Sequence, residues 1–428
     1  ASNDNARLTE RITLTGSSKD PTPIDSVLVL DRSGSMDESA GDRRKIEAMR
    51  DAANLYADLL RDNPEDETSG DKLGFVKYND GNADYMTLDF MDAAKDTEIA
   101  TKLSDAALGA FSDLKPEGGT GIGGAMERAA DVLLPSSDER KQVMVVITDG
   151  RETEDPRIND VVTPIQDANT DLIMFSVGVG QDIEPDKLQN ITNVSNGFHQ
   201  VAGSLTDTNV FDLETFYFKI FASAADMDLV VDPTHSETLL SPDPVIVDSA
   251  KIISSDRSAT FLVLDDPVLR QFYDLEFLSP SGEIIVPGVT IGGIGIQESK
   301  RHTYKILRIV FPDISKADEY TGTWNLRLKP NGSWNVQAVQ KPLIEGDIHY
   351  SNWISPLEGS VPIGFAGAVS SDYRLRVNVL PSSFIPGANI KLSATLTDRE
   401  WPAPNGSVTV AVQSPSGVQS NVTLFDDG

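Results

Sequence analysis

Five oxygen-bearing residues on three segments carry the strongest chemical signal. Asp31, Ser33 and Ser35 alternate within Asp31-Arg32-Ser33-Gly34-Ser35, so one tight turn can direct a carboxylate and two hydroxyls to the same point. Thr120 adds a hydroxyl from Gly118-Gly119-Thr120-Gly121, and Asp149 adds a second carboxylate from Thr148-Asp149-Gly150. A set made only of oxygens suits a hard divalent cation, Mg²⁺, Mn²⁺ or Ca²⁺, rather than zinc or copper. Mg²⁺ leads, because it keeps exchangeable waters. Neutral hydroxyls fix geometry without cancelling charge. A cation held by so few carboxylates stays electrophilic and can take one more oxygen, such as the carboxylate of a partner protein.

Other chemistry is poorly supplied. The absence of cysteine excludes disulfides, thiolate zinc sites and cysteine nucleophiles. His199, His235, His302 and His349 are scattered and form no His-Glu-x-x-His. Gly119-Thr120-Gly121-Ile122-Gly123-Gly124 matches a dinucleotide fingerprint formally, but it follows a Lys115-Pro116-Glu117 loop rather than a buried strand. Ser33 and Ser35 have no local base and, as metal ligands, would not be nucleophiles. The expectation is a protein that is not an enzyme. Glu152, Glu154 and Asp155 read as a solvated acidic loop, with a metal-tuning rim as the alternative; Arg32, Arg151 and Arg157 could offset their charge.

The elements that must position these residues follow from hydrophobic patterning. Ser26-Val27-Leu28-Val29-Leu30 is a continuous apolar run ending at Asp31, the pattern of a parallel strand buried on both faces. Ile46, Met49, Ala53, Tyr56 and Leu60 recur at helical spacing over 43–62. Leu73 to Tyr78 and Tyr85 to Leu88 predict a hairpin. Further helices are expected over 93–111, 122–134 and 207–224, the last strongly apolar. Gln142 to Thr148, Leu172 to Val177 and Gly197 to Val201 are the remaining strands. This alternation predicts an α/β doubly wound, Rossmann-like domain over 24–226, whose ligands bind outside the carboxyl ends of the strands.

Past 227 the helical period stops and short alternating runs take over, as in Trp324-Asn325-Leu326-Arg327-Leu328-Lys329. All-β sandwich domains are expected over 227–350 and 371–428, the second immunoglobulin-like and truncated. Strand candidates in the first are Ile252 to Leu264, Leu275 to Leu278, Glu283 to Val286 and Tyr304 to Phe311. Residues 1–23, with Ile12-Thr13-Leu14-Thr15, read as an N-terminal strand that could pair with the first sandwich.

The chain has 428 residues and a net charge of −30. So acidic a surface repels phosphate backbones and argues against nucleic acid. No apolar stretch approaches the ~18–20 residues needed to span a bilayer. The start at Ala1-Ser2-Asn3-Asp4 is expected of a trimmed mature chain or an excised piece, and the end at Asp426-Asp427-Gly428 of a domain cut short. A large protein without cysteine fits a cytosolic protein, or a secreted or surface-displayed bacterial or archaeal one, and the second is the expectation here.

Asp-x-Ser-x-Ser at 31–35, with Thr120 and Asp149 in order, resembles the metal ion-dependent adhesion site of the von Willebrand factor type A domain family, and the strand–helix order agrees over about 200 residues. The resemblance implies a metal-dependent adhesion or protein-binding module that meets an exposed Asp or Glu of its ligand. It also implies a last helix, 207–224, that slides in some members. Alternatives are an intracellular scaffold or metal-insertion accessory of the same family, or a non-catalytic part of a larger secreted protease-type protein. The tail from Val422 to Gly428 loosely resembles secreted calcium-activated chloride channel regulators, which join this domain to β-sandwiches.

Overall fold

The computed structural model describes residues 22–41, 43–61, 70–80, 84–91, 115–133, 140–180, 183–203, 211–239, 243–265, 273–285, 295–301, 304–311, 317–331, 339–340, 353–354, 360–381, 390–398, 401–402, 408–413 and 419–424. The expected N-terminal strand at Ile12–Thr15 and the expected helix over 93–111 lie outside them.

The first unit comprises β1 (Ile24–Asp31), α1 (Lys45–Leu59), β2 (Lys72–Tyr78), β3 (Asp84–Phe90), α2 (Ile122–Leu133) and β4 (Lys141–Thr148). It continues with α3 (Ile158–Ala168), β5 (Ile173–Val179), α4 (Pro185–Asn193), β6 (His199–Ala202) and α5 (Asp212–Ala224). The sheet order is β3-β2-β1-β4-β5-β6, parallel except for the β2–β3 hairpin. Every residue of β1 is buried, as the unbroken apolar run requires. Its side chains alternate. Leu28 and Leu30 join one core with α1 and α5, while Val27 and Val29 join another with α2 and α3. Helices on both faces make the sheet doubly wound. Helices α3 and α4 were absent from the sequence reading; both are short and proline-marked, at Pro164 and Pro185.

The β-rich region follows as β7 (Asp228–Leu239), β8 (Val245–Ile252), β9 (Asp256–Leu264), β10 (Tyr273–Leu278) and β11 (Ile284–Ile285). Then come β12 (Gly295–Arg301), β13 (Tyr304–Val310), β14 (Gly322–Pro330) and β15 (Ser360–Ser371). They form a five-stranded sheet, β12-β13-β9-β15-β7, and a four-stranded sheet, β8-β14-β10-β11. The expected single strand from Ile252 to Leu264 is two strands in different sheets. A backbone bond from the Asp256 N–H to the Ile253 carbonyl closes the turn between them. Strand β15 lies beyond residue 350, yet it pairs with both β9 and β7.

The five-stranded sheet is covered on both faces. Phe261 and Phe365 meet Phe277 of the four-stranded sheet, which in turn packs on Trp324. On the other face Leu262, Leu264, Tyr304, Ile306, Ala366 and Ala368 share one core with α1 and α5. Polar contacts fix this junction. The Tyr304 hydroxyl donates to Asp58 (2.7 Å), and Arg308 Nη2 donates to the carbonyls of Asp58, Leu59 and Leu60 (2.9, 2.8 and 3.1 Å). Those carbonyls are the unsatisfied C-terminal end of α1, where a cation complements the helix dipole. Further along, β16 (Tyr373–Pro381) pairs with β17 (Ile390–Asp398), and β18 (Val408–Gln413) with β19 (Gln419–Leu424).

Candidate metal centre

The carboxyl ends of β1 and β4 place Asp31 and Asp149 side by side, and both are fully buried. Asp31 Oδ1 accepts the Ser33 backbone N–H at 2.7 Å. Its Oδ2 accepts the Thr148 hydroxyl at 2.7 Å and lies 3.2 Å from the Tyr78 hydroxyl, whose proton is shared with the Ile147 carbonyl. Ser33 and Ser35 are linked through their hydroxyls at 3.1 Å, and Ser35 Oγ donates to Asp149 Oδ1 at 2.8 Å. Asp31, Ser33, Ser35 and Asp149 are thus joined in one hydrogen-bonded chain.

Thr120 is buried in the adjoining loop ahead of α2. Backbone bonds carry that loop to the site. The Gly34 N–H donates to the Gly118 carbonyl (3.1 Å), and the Thr153 N–H donates to the Thr120 carbonyl (2.8 Å). The Thr120 N–H in turn donates to Thr153 Oγ1 at 2.8 Å. Close approach here needs glycine at 123, where a Cβ would lie 2.3 Å from the Pro156 carbonyl oxygen.

Three contributors escaped the sequence reading. Tyr78 and Thr148 hold Asp31. Lys45, the first residue of α1, donates to Asp149 Oδ2 and to Glu38 Oε2, both at 2.8 Å. The signal for Lys45 was its place, because a cation at a helix N-terminus opposes the helix dipole. Glu152 departs from the expected solvated loop. Its carboxylate accepts the backbone N–H groups of Gly123 (2.9 Å) and Ile158 (2.9 and 3.0 Å), capping α2 and α3 together. Arg157 is occupied by Asp155 and by the carbonyls of Glu152 and Thr153, and Arg32 faces Glu117 at 3.6 Å.

The electrostatics follow from burial. Desolvation, then the Asp149 charge, push Asp31 up to about 6, against the pull of its Ser33 and Thr148 hydrogen bonds. Burial also pushes the Tyr78 phenol well up, aided by the charge of Asp31. Desolvation opposes the Lys45 charge, but its bonds to Asp149 and Glu38 more than offset this and hold the ammonium above its usual range. Among the described residues no group of three or more His, Asp or Glu is poised to hold a metal, so hydroxyls must complete any shell. Two buried carboxylates, hydroxyl oxygens and one ammonium fit a hard divalent cation, which would supply the missing positive charge.

Residues 25–217 match the family model of the von Willebrand factor type A domain. The α/β unit is a von Willebrand factor type A domain. Such domains commonly bind a divalent metal at their adhesion site and mediate protein–protein interaction, generally without catalysis. A curated relative, inter-alpha-trypsin inhibitor heavy chain H2 of Mus musculus, is 26% identical over 288 residues, covering 61% of this chain and 28% of the relative. The chain therefore spans well under half of that relative's length. Among solved structures, a von Willebrand factor type A protein from Catenulispora acidiphila is 14% identical and covers 90% of this chain and 67% of its own, with a TM-score of 0.38. Proximal thread matrix protein 1 from the mussel byssus, with a zinc-occupied adhesion motif, is 15% identical and covers 49% of this chain and 50% of its own, with a TM-score of 0.36. No helix among the described residues is long and apolar enough to cross a membrane.

Proposed function

We propose that the von Willebrand factor type A domain holds one divalent cation, Mg²⁺ first and Mn²⁺ or Ca²⁺ otherwise, through Asp31, Ser33, Ser35, Thr120 and Asp149. The cation then receives an Asp or Glu carboxylate of a protein ligand. The observation that carries this reading is the pair of fully buried carboxylates at neighbouring strand ends, joined through serine hydroxyls and answered by one ammonium. When bound, the ion supplies Lewis acidity toward an incoming carboxylate. The chain's own residues do the rest. Tyr78, Thr148 and the Ser33 N–H orient Asp31, while Ser35 and Lys45 orient Asp149. The chain then acts as a non-catalytic adhesion module of a secreted or surface-displayed microbial protein. Its two facing antiparallel sheets form a β-sandwich that begins near 227 and takes in β15, and that sandwich serves as a stalk. A charge of −30 and the absence of cysteine are compatible with an exported microbial surface protein.

Thermal unfolding of metal-stripped protein, followed by addition of Mg²⁺, Mn²⁺ or Ca²⁺, tests the reading on wild type and Asp31→Ala. A cation at ~100 times its Kd should add about 2.7 kcal/mol, and the shift should vanish in Asp31→Ala. No shift with any cation in the folded wild type overturns it.

A further inference from the structure

The Lys45 side chain is placed with more care than a surface charge requires. It is 5% exposed, sits where the α1 dipole disfavours a cation, and reaches the distal oxygen of a fully buried Asp149 at 2.8 Å. Room for its stem comes from Gly180 at the end of β5, whose φ of +104° favours glycine. A Cβ there would lie 3.0 Å from Lys45 Cε. On its outer side the ammonium meets Glu38, whose side chain is 63% exposed. The ammonium thus lies between the buried carboxylate and the rim.

We propose that Lys45 is a built-in countercharge that tunes the metal centre. It orients Asp149 and neutralises one of the two carboxylates, so that an incoming cation gains less charge compensation than the bare pair would offer. The centre then holds its cation more weakly and leaves it more electrophilic toward a ligand carboxylate. This rests on the metal-binding reading above. It makes Lys45 a positioning residue, and the sign of its effect is opposite to that of a ligand. Removal of a metal ligand weakens cation binding, whereas removal of this ammonium strengthens it, because a repulsive charge is taken out of a low-dielectric site.

The test is calorimetric titration of the metal-stripped full chain with MnCl₂ at pH 7 and 0.15 M salt. Lys45→Gln keeps a hydrogen-bond donor for Asp149 without the charge, and Lys45→Met removes both. Lys45→Arg keeps the charge. Wild type should bind one Mn²⁺. Lys45→Gln and Lys45→Met should each bind it at least tenfold more tightly, and Lys45→Arg within about threefold of wild type. If either neutral variant folds and binds Mn²⁺ no more tightly than wild type, the countercharge role is overturned, while metal binding itself stands. If wild type binds no Mn²⁺, the metal-binding reading fails first.

Discussion

The two ends of the six-stranded sheet bury acids equally and treat them differently. At the amino ends of the strands, Asp25 and Asp71 are 0% and 1% exposed. Arg140 donates to Asp25, and Arg61 donates to both oxygens of Asp71 at 2.7 and 2.9 Å. Asp71 also accepts the backbone N–H groups of Ile24 and Arg61, each at 2.8 Å. Each carboxylate there has its own guanidinium. At the carboxyl ends, Asp31 and Asp149 are both 0% exposed and share hydroxyls and one ammonium. Burial alone therefore does not distinguish the two ends. Charge compensation does. The fold neutralises the carboxylates at the amino ends where they stand and leaves one positive charge short at the pair proposed to hold a cation.

The largest effect should come from breaking the compensated end. Arg61→Ala strands Asp71 and should cost about 3–5 kcal/mol, read as a fall in the calorimetric melting temperature that no divalent cation restores. At the other end the sign reverses. Asp31→Asn removes a charge that the fold disfavours and should raise metal-free stability at pH 7 by up to about 3 kcal/mol, the equivalent of moving a carboxyl from 3.8 to about 6. The same variant should lose its melting response to Mg²⁺ or Mn²⁺. A fall in metal-free stability comparable to that of Arg61→Ala would erase the distinction between the two ends.

The pH dependence sharpens the comparison further. Because its pKa is raised in the fold, Asp31 binds its proton more tightly there than in the unfolded chain. Its contribution to stability is present below the ordinary carboxyl range and is lost as pH rises through about 6. A cation must displace that proton, so the Mn²⁺ affinity should fall by up to about tenfold per pH unit below 6, or about 1.4 kcal/mol. Titrations at pH 5 and pH 7 check this, and a pH-independent affinity would count against Asp31 as a ligand. The smallest effect concerns α1, which runs from Lys45 to the β-rich region. Arg308→Ala removes the cation at its far end and should cost about 1–2 kcal/mol in thermal unfolding, with Mn²⁺ affinity unchanged within twofold.

What was legible in the sequence follows from how each element is buried. Strand β1 and the β2–β3 hairpin announce themselves by continuous or bounded apolar runs, and α1 by Ile46, Met49, Ala53 and Tyr56 on one face. Strand β15 was passed over because Gly364, Ala366, Gly367 and Ala368 give it no alternation. A Cβ at Gly367 would lie 2.9 Å from the ring of Phe261, its partner on the neighbouring strand β9, so the ring that covers this position demands the glycine that helps to hide the strand. At the site, residue type and strand-end position single out Asp31, Ser33, Ser35, Thr120 and Asp149. The residues that orient them are masked by their neighbours in the sequence. Tyr78 and Thr148 end apolar strands, where an aromatic ring and a threonine read as core, and Lys45 sits in a run of cations with Arg43 and Arg44. Their roles come from contacts across 47, 117 and 104 residues of chain, which local patterning does not carry.

The most direct test of the under-compensated carboxylate pair is Mn²⁺ binding followed by electron paramagnetic resonance, at pH 7 and 0.15 M salt to screen the acidic surface. Wild type and Arg308→Ala should each take up one tightly bound Mn²⁺ per chain, and Asp31→Ala and Asp149→Ala none. Equal uptake by wild type and Asp31→Ala would place the bound ion elsewhere on the acidic surface and contradict the metal centre at the ends of β1 and β4.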